Sequence, residues 1–181
     1  MQALKENEAR AKKNEAQDPV KPLRVCFVCT GNTCRSPMAE AVTRALAYRT
    51  VEMLPDAVRS SAVPLVEPTS AGLYPVEGAP ISHGACTALE REGIQPMRGY
   101  DFHDHRARPI CLQTVENCDL LVGMTRGHAM ELLLRFPQAA SRIACMPEEI
   151  LDPYGGDEEI YFACLQEIKS GVRSLLVGYL S

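Results

Sequence analysis

The sequence predicts an α/β fold, a three-layer sandwich in which a short, twisted parallel sheet of about four strands is flanked by helices. Two observations predict it. Short apolar segments with strand character alternate along the chain with longer segments of helical periodicity, and this alternation is typical of parallel strands joined by crossover helices. The chain also has 181 residues, 46% of them hydrophobic, which is enough to bury one sizeable core.

The first half of the domain contains two predicted strands and two predicted helices. Residues 25–29 are consecutive apolar or cysteine positions and indicate a buried strand. Ser36 is a good helix N-cap, Pro37 fits the first helical position, and apolar residues recur at helical spacing to about residue 53. A short strand is expected near residues 66–70, and residues 82–92 form a helix that the following glycine ends.

The second half continues the alternation. Strands are predicted over residues 119–124 and 142–146, and short helices over residues 108–117 and 126–136. Residues 163–179 are predicted to form a long terminal helix. Its apolar face is made of Cys164, Leu165, Ile168, Val172, Leu175, Leu176 and Tyr179.

The N-terminal segment differs in composition from the rest of the chain. Residues 1–22 are highly charged and contain no apolar stretch, so we expect a flexible charged extension before a domain over residues 23–181. The segment does not resemble a signal peptide, and no run approaches the roughly 18 apolar residues of a membrane helix. We therefore expect a cytoplasmic protein, without a membrane association, whose eight cysteines are reduced. The net charge of −4 gives no indication of nucleic-acid binding.

The loop after the first strand carries the most specific pattern in the chain. Cys29 is followed six positions later by Arg35 and then by Ser36, and none of the other cysteines has an arginine at that offset. The loop lies between a predicted strand and the start of a helix, which is where ligands bind in α/β sheets. Gly31 and Asn32 tolerate the left-handed backbone that a tight anion-binding loop needs.

The residue types of this loop fit phosphate chemistry. Backbone N–H groups and the helix N-terminus attract an anion, and the Arg35 guanidinium matches two phosphate oxygens. The same positive field stabilises the thiolate form of Cys29, which is the nucleophilic form. Ser36 is placed to hydrogen-bond that sulfur. Cys26 has a C-x2-C spacing to Cys29, but strand positions three apart face opposite sides of a sheet, so we expect it in the core.

Five segments together resemble the low-molecular-weight protein tyrosine phosphatases. The segment Cys29–Glu40, CTGNTCRSPMAE, resembles the phosphate loop of that family, and Asp152–Gly156, DPYGG, resembles its general-acid loop. The other three are TSAG at 69–72, HRAR at 105–108 and MTRGH at 124–128. They occur in family order, from about residue 24 to about residue 178.

The resemblance implies a role for each matching residue. Cys29 would be the nucleophile, Arg35 the ligand of the phosphoryl oxygens, and Asp152 the general acid and later the base. The implied phosphate-binding loop consists of Thr30, Gly31, Asn32, Thr33, Cys34, Arg35 and Ser36. Asn32, Ser36, Ser70 and His105 would support it by hydrogen bonds. No cofactor and no metal are implied, and His103 with His105 makes only a weak metal pattern.

Two departures from the tyrosine phosphatases concern the substrate. Thr33 stands where they usually have a bulky aliphatic residue, and Gly155 follows Tyr154 where they usually have a second aromatic. Both features resemble the bacterial protein-arginine phosphatase branch. A guanidinium group pairs with Asp152 and stacks on Tyr154, so phosphoarginine in proteins is the expected substrate. Phosphotyrosine is the alternative, and we expect a monomer.

Two further alternatives come from other classes. A thioredoxin-coupled arsenate reductase shares this loop, but Cys111 and Cys118 precede the third predicted strand instead of following it, and on one helix they would be about 10 Å apart. A non-catalytic phosphate-binding module would lack Cys29 or Asp152. Cys34 in the same loop is a candidate redox partner of Cys29, because a nearby thiol traps a sulfenic acid as a disulfide.

Overall fold

The central sheet has four parallel strands in the order β2-β1-β3-β4. The computed structural model of the chain describes residues 21–52, 65–97 and 99–180. Within them the strands are β1 (Leu23–Cys29), β2 (Val66–Gly72), β3 (Leu120–Gly123) and β4 (Ile143–Cys145). β1 pairs with β2 on one side and with β3 on the other, so the strand that ends in Cys29 is interior to the sheet.

Helices cover both faces of this sheet. They are α1 (Arg35–Glu52), α2 (His83–Arg91), α3 (Leu112–Asn117), α4 (Arg126–Arg135) and α5 (Glu158–Leu180). Short 3-10 helices span Phe102–Asp104 and Pro137–Arg142. The predicted three-layer α/β class is confirmed.

Alternation along β1 divides the core into two clusters. Val25 and Phe27 face the larger cluster with residues of α1, α2 and α5, whereas Cys26 and Val28 face a smaller cluster with residues of α3 and α4. Successive strand residues point to opposite faces, which explains the division. Cys26 is fully buried, and its predicted place in the core is confirmed.

Helix boundaries differ from the prediction at several places, and α3 begins at Leu112, not at the predicted residue 108. α1 begins at Arg35, one position before the predicted cap Ser36, so the Ser36 side chain is free for the active site. α5 begins well before the predicted residue 163, because the Asp157 carboxylate accepts the Ile160 N–H at 3.0 Å and caps the first turn. This earlier start brings Tyr161 into the core. Tyr179, which we expected on the buried face, is 51% exposed.

One sequence prediction falls on a part of the chain that is not described. The predicted extension over residues 1–22 lies almost entirely outside the described residues, as does most of the segment between α1 and β2. No helix in the described part of the chain has both the length and the apolar character that crossing a bilayer requires.

Candidate active site

The predicted phosphate-binding loop connects β1 to α1 at the carboxyl edge of the sheet. Asn32 adopts a left-handed backbone with φ of 54°, as its residue type allows. Gly72 at the end of β2 packs directly against the loop: a Cβ there would lie 2.9 Å from the Thr30 carbonyl oxygen. The loop therefore depends on a glycine in the neighbouring strand as well as on its own residues.

Cys29 lies at the floor of the loop with a side chain that is almost fully buried. Its Sγ is 3.0 Å from Ser36 Oγ and accepts the Asn32 N–H at 3.3 Å. The Ser36 hydroxyl also lies 3.3 Å from the Ala71 carbonyl oxygen, so its hydrogen has two possible acceptors. When the sulfur is a thiolate, both Ser36 and Asn32 donate to it, and such donors stabilise the charged form.

The Asn32 side chain is the centre of the support for the loop. Its Nδ2 donates to Ser36 Oγ and to Ser70 Oγ, each at 3.0 Å, and its Oδ1 accepts the Arg108 N–H at 3.0 Å. Ser70 in turn donates to the buried Glu40 carboxylate at 2.7 Å. Asn32 is fully buried, and a buried amide that is satisfied on both sides fixes the loop in one conformation.

His105 holds the loop from outside. Its Nε2 is 2.7 Å from the Asn32 carbonyl oxygen, and because a carbonyl only accepts, Nε2 carries the hydrogen. Burial lowers the pKa of the His105 imidazole, which favours the neutral form. The four residues predicted to support the loop therefore come together around it, namely Asn32, Ser36, Ser70 and His105.

Arg35 and Asp152 form an ion pair across the site. The Arg35 Nη2 lies 2.6 Å from Asp152 Oδ2, and Nη1 donates to the Ile150 carbonyl at 3.2 Å. The Arg35 Nε is buried and has no hydrogen-bond partner among the described residues. An anionic oxygen fits this unpaired donor, since guanidinium groups bind phosphate through two parallel N–H bonds.

Cys29, Arg35 and Asp152 line one cavity of about 240 Å³. Tyr154 stands at its mouth with 79% of the residue exposed, and its N–H donates to Asp152 Oδ1 at 3.2 Å, which orients that carboxylate. Gly155 has φ of 81°, a conformation that an aromatic residue rarely adopts. The other lining residues are Thr30, Gly31, Thr33 and Cys34.

Cys34 contributes to the cavity wall but makes its hydrogen bonds on the other side of the loop. Its Sγ donates to Ser82 Oγ at 3.1 Å and is 3.5 Å from the Tyr161 hydroxyl. Burial, chiefly, raises the pKa of Tyr161 to about 12, so the phenol stays neutral. All eight cysteines of the chain are free thiols in the structure.

Sequence reasoning missed four residues of the site: Glu40, Arg108, His128 and Tyr161. Glu40 is a charged residue within the otherwise apolar stretch Met38–Val42 of α1, and that departure from the helical pattern was a usable signal. His128 follows Thr125 at the spacing of a capping box. Arg108 ends the segment HRAR that resembles the family, whereas Tyr161 carries no comparable local signal, because its contact with Cys34 joins distant parts of the chain.

A thiol, an arginine and a carboxylate around an anion-binding loop define a cysteine-dependent phosphatase. The family model for low molecular weight phosphotyrosine protein phosphatase matches residues 24–180. The chain belongs to this family and is a hydrolase that acts as a protein phosphatase.

The similar proteins divide between two named activities. A protein-arginine-phosphatase of Geobacillus stearothermophilus is 31% identical over 161 residues, which cover 85% of this chain and 94% of the relative. A low molecular weight protein-tyrosine-phosphatase of Streptomyces coelicolor is 30% identical, and the match covers 86% of this chain and 92% of the relative. A solved YwlE arginine phosphatase, a cysteine-to-serine mutant with a phosphorylated active-site serine, superposes with a TM-score of 0.71 at 28% identity, with 84% and 93% covered.

Proposed function

We propose that this chain hydrolyses phosphoarginine in proteins, with Cys29 as nucleophile, Arg35 as phosphoryl ligand and Asp152 as general acid and base. The observation that carries the proposal is the composition of the cavity, which places a carboxylate, a hydroxyl and a single aromatic ring around the nucleophile. The relative named a protein-arginine-phosphatase supports the same assignment.

The first step transfers the phosphoryl group to sulfur. The Cys29 thiolate attacks phosphorus and forms an S–P bond while the P–N bond to the substrate guanidine breaks. Asp152 donates a proton to the departing nitrogen, which is a poor leaving group without it. Arg35 exchanges its contact with Asp152 for the phosphoryl oxygens, and with the loop N–H groups it stabilises the charge of the transition state.

The second step releases phosphate and restores the thiol. Asp152, now ionised, takes a proton from a water molecule as that water attacks phosphorus and the S–P bond breaks. Ser36, 3.0 Å from Cys29 Sγ, donates to the departing thiolate and makes it a better leaving group. The four loop-support residues keep the donors in place through both steps, and no metal or cofactor takes part in this scheme.

Thr33 and Tyr154 account for the choice of substrate. A phenyl ring favours an apolar slot with two aromatic walls, whereas here Tyr154 is the one aromatic side chain in the cavity lining and Thr33 adds a hydroxyl. Gly155 gives no second wall, and its backbone conformation suits glycine. The substrate guanidinium group stacks on Tyr154 and donates to Thr33 Oγ1, and after proton transfer the leaving guanidinium pairs with the Asp152 carboxylate.

The test compares kcat/KM on phosphoarginine and phosphotyrosine peptides of the same sequence. We expect wild type to have the higher kcat/KM on phosphoarginine. Thr33→Ile should shift the ratio of the two kcat/KM values toward phosphotyrosine by about tenfold, because the variant loses one hydrogen bond to a charged group. Gly127→Ala is a matched control, because its added Cβ comes no closer than 3.6 Å to a neighbour and lies outside the cavity lining.

A wild-type preference for phosphotyrosine would overturn the arginine assignment in favour of the alternative activity. An unchanged ratio in Thr33→Ile would refute the role of Thr33.

We further propose that the enzyme is cytoplasmic and monomeric and acts on phosphorylated proteins. Residues 23–181 are its catalytic domain, and residues 1–22 are a flexible extension. The size of the full chain in sedimentation experiments tests the monomer.

A further inference from the structure

His128 contacts the active-site loop although it comes from a distant part of the chain. It is the third residue of α4 and is 8% exposed. Its Nε2 lies 3.0 Å from Thr30 Oγ1. Thr30 directly follows the nucleophile Cys29 and lines the active-site cavity, so this hydrogen bond joins α4 to the reacting centre.

The other ring nitrogen of His128 determines its tautomer. Nδ1 accepts the Thr125 backbone N–H at 3.2 Å and lies 2.9 Å from Thr125 Oγ1. An N–H group cannot donate to a protonated nitrogen, so Nδ1 carries no hydrogen, and in the neutral ring the hydrogen is on Nε2. Burial and, second, the charge of Arg35 lower the pKa of His128, which keeps the ring neutral near pH 7.

The tautomer in turn fixes the role of the Thr30 hydroxyl. Nε2–H donates to Thr30 Oγ1, so the hydrogen of that hydroxyl must point elsewhere. Thr30 forms no other side-chain hydrogen bond among the described residues, and the residue is exposed at the cavity wall. A hydroxyl hydrogen without a protein acceptor is thus available in the place where an anionic substrate binds.

We propose that His128 is a positioning residue for the reaction: it orients the Thr30 hydroxyl to donate a hydrogen bond to a phosphoryl oxygen of the bound substrate. The proposal rests on the phosphatase function proposed above. It assigns a catalytic contact to the Thr30 side chain, whereas the loop motif involves only its backbone N–H. Thr125, through the helix cap, selects the tautomer on which this contact depends.

The experiment uses p-nitrophenyl phosphate as substrate and inorganic phosphate as competitive inhibitor. Thr30→Val removes the hydroxyl at nearly constant shape. We expect kcat/KM to fall and the Ki of inorganic phosphate to rise by roughly tenfold each, as for loss of a hydrogen bond to a charged group. Thr30→Ser keeps a hydroxyl, so we expect its kcat/KM and its Ki for inorganic phosphate to stay close to those of wild type.

A matched pair of His128 variants separates positioning from folding. The amide of His128→Asn accepts the Thr125 N–H in place of Nδ1 but does not reach Thr30, whereas His128→Gln places a donor near the position of Nε2. We expect His128→Asn to lower kcat/KM as much as Thr30→Val does, and His128→Gln to keep kcat/KM near that of wild type. The double variant Thr30→Val/His128→Asn should have a kcat/KM no lower than that of either single variant.

Additive losses in the double variant would overturn the proposal, as would a Ki for inorganic phosphate that Thr30→Val leaves unchanged. Equal losses in His128→Asn and His128→Gln would assign His128 to helix stability instead. Failure of the wild-type enzyme to hydrolyse p-nitrophenyl phosphate would contradict the phosphatase function itself, and that outcome is distinct from the others.

Discussion

At the scale of single residues, the two cysteines of the loop have different surroundings. Cys29 Sγ lies between Ser36 and the Asn32 N–H, which stabilise a thiolate, whereas Cys34 Sγ donates to Ser82. Both side chains line one cavity. Cys34 Sγ is thus held by Ser82 on one side of the loop, and this hydrogen bond must break before the two sulfurs can join.

This difference predicts a protective disulfide. Peroxide oxidises the Cys29 thiolate to a sulfenic acid, and the Cys34 sulfur attacks it to give an S–S bond and water. We expect dithiothreitol to restore full activity to peroxide-treated wild type but only part of the activity to peroxide-treated Cys34→Ala. In that variant no neighbouring thiol traps the sulfenic acid, so Cys29 oxidises further to a sulfinic acid that dithiothreitol does not reduce. Cys86→Ala, a change at a thiol outside the cavity, should behave as wild type. Full recovery of Cys34→Ala would refute the redox role.

The residue scale also shows how far the sequence could predict the site. The juxtaposition of Cys29, Arg35 and Asp152 in one cavity could be predicted because Cys29 and Arg35 belong to one short motif and Asp152 to a recognisable loop. The hydrogen bonds of Glu40 to Ser70 and of His128 to Thr30 join residues 30 and 98 positions apart. Such contacts depend on how helices pack on the sheet, and local sequence patterns do not encode them.

At the scale of secondary-structure elements, α4 packs on β3 at one very close point. A Cβ added at Gly123 would lie 2.6 Å from the Ala129 backbone nitrogen and 2.9 Å from the Thr125 carbonyl oxygen. Both atoms are backbone and cannot turn aside. This approach allows the first turn of α4, with Thr125 and His128, to lie beside the active-site loop.

The close approach predicts a large effect from one methyl group. Gly123→Ala should lower the free energy of unfolding by about 2 kcal/mol or more, since overpacking against rigid backbone is relieved only by moving a helix. Gly178→Ala in α5, where nothing lies within 4 Å of the added Cβ, should be neutral or stabilising by up to about 1 kcal/mol. Urea unfolding of both variants tests this, and equal midpoints would contradict it.

Element boundaries show where sequence patterns are weaker. The strands and helices of the described residues follow the predicted order, because short apolar segments mark most strands and glycine or proline residues mark several helix ends. The start of α5 was misplaced because its first turn faces solvent apart from Tyr161, and its cap is an Asp157 contact that the apolar pattern does not reveal. Tyr179 is 51% exposed, whereas Leu175 is buried, so the apolar stripe of the helix extends beyond its buried part.

At the scale of the whole molecule, the half-buried His105 and the buried His128 make the free energy of unfolding depend on pH. Burial lowers the pKa of His105 and of His128 from the ordinary value of 6.5. As pH falls below about 6.5, the unfolded chain takes up protons at these positions before the folded chain does, so stability is lost as pH falls toward the lowered values. His103 acts in the opposite sense, because hydrogen bonds to Glu90 and Asp101 raise its pKa, but its exposure makes the contribution small.

The unfolding midpoint in urea should therefore fall between about pH 7 and pH 5. His105→Gln retains an amide donor for the Asn32 carbonyl and does not titrate, so we expect it to reduce the dependence on pH. A midpoint in wild type that stays constant or rises over this range would contradict the assignment.

The central place of β1 has a consequence for cooperativity. Cys29 ends this strand, and the backbone there is held from both sides: the Leu73 N–H donates to the Cys29 carbonyl and the Met124 N–H to the Val28 carbonyl, each at 2.9 Å. Amides of an interior strand exchange with solvent mainly through global opening. Thermal inactivation and loss of the native fold should accordingly be one event, with no partly unfolded species that still carries a working nucleophile.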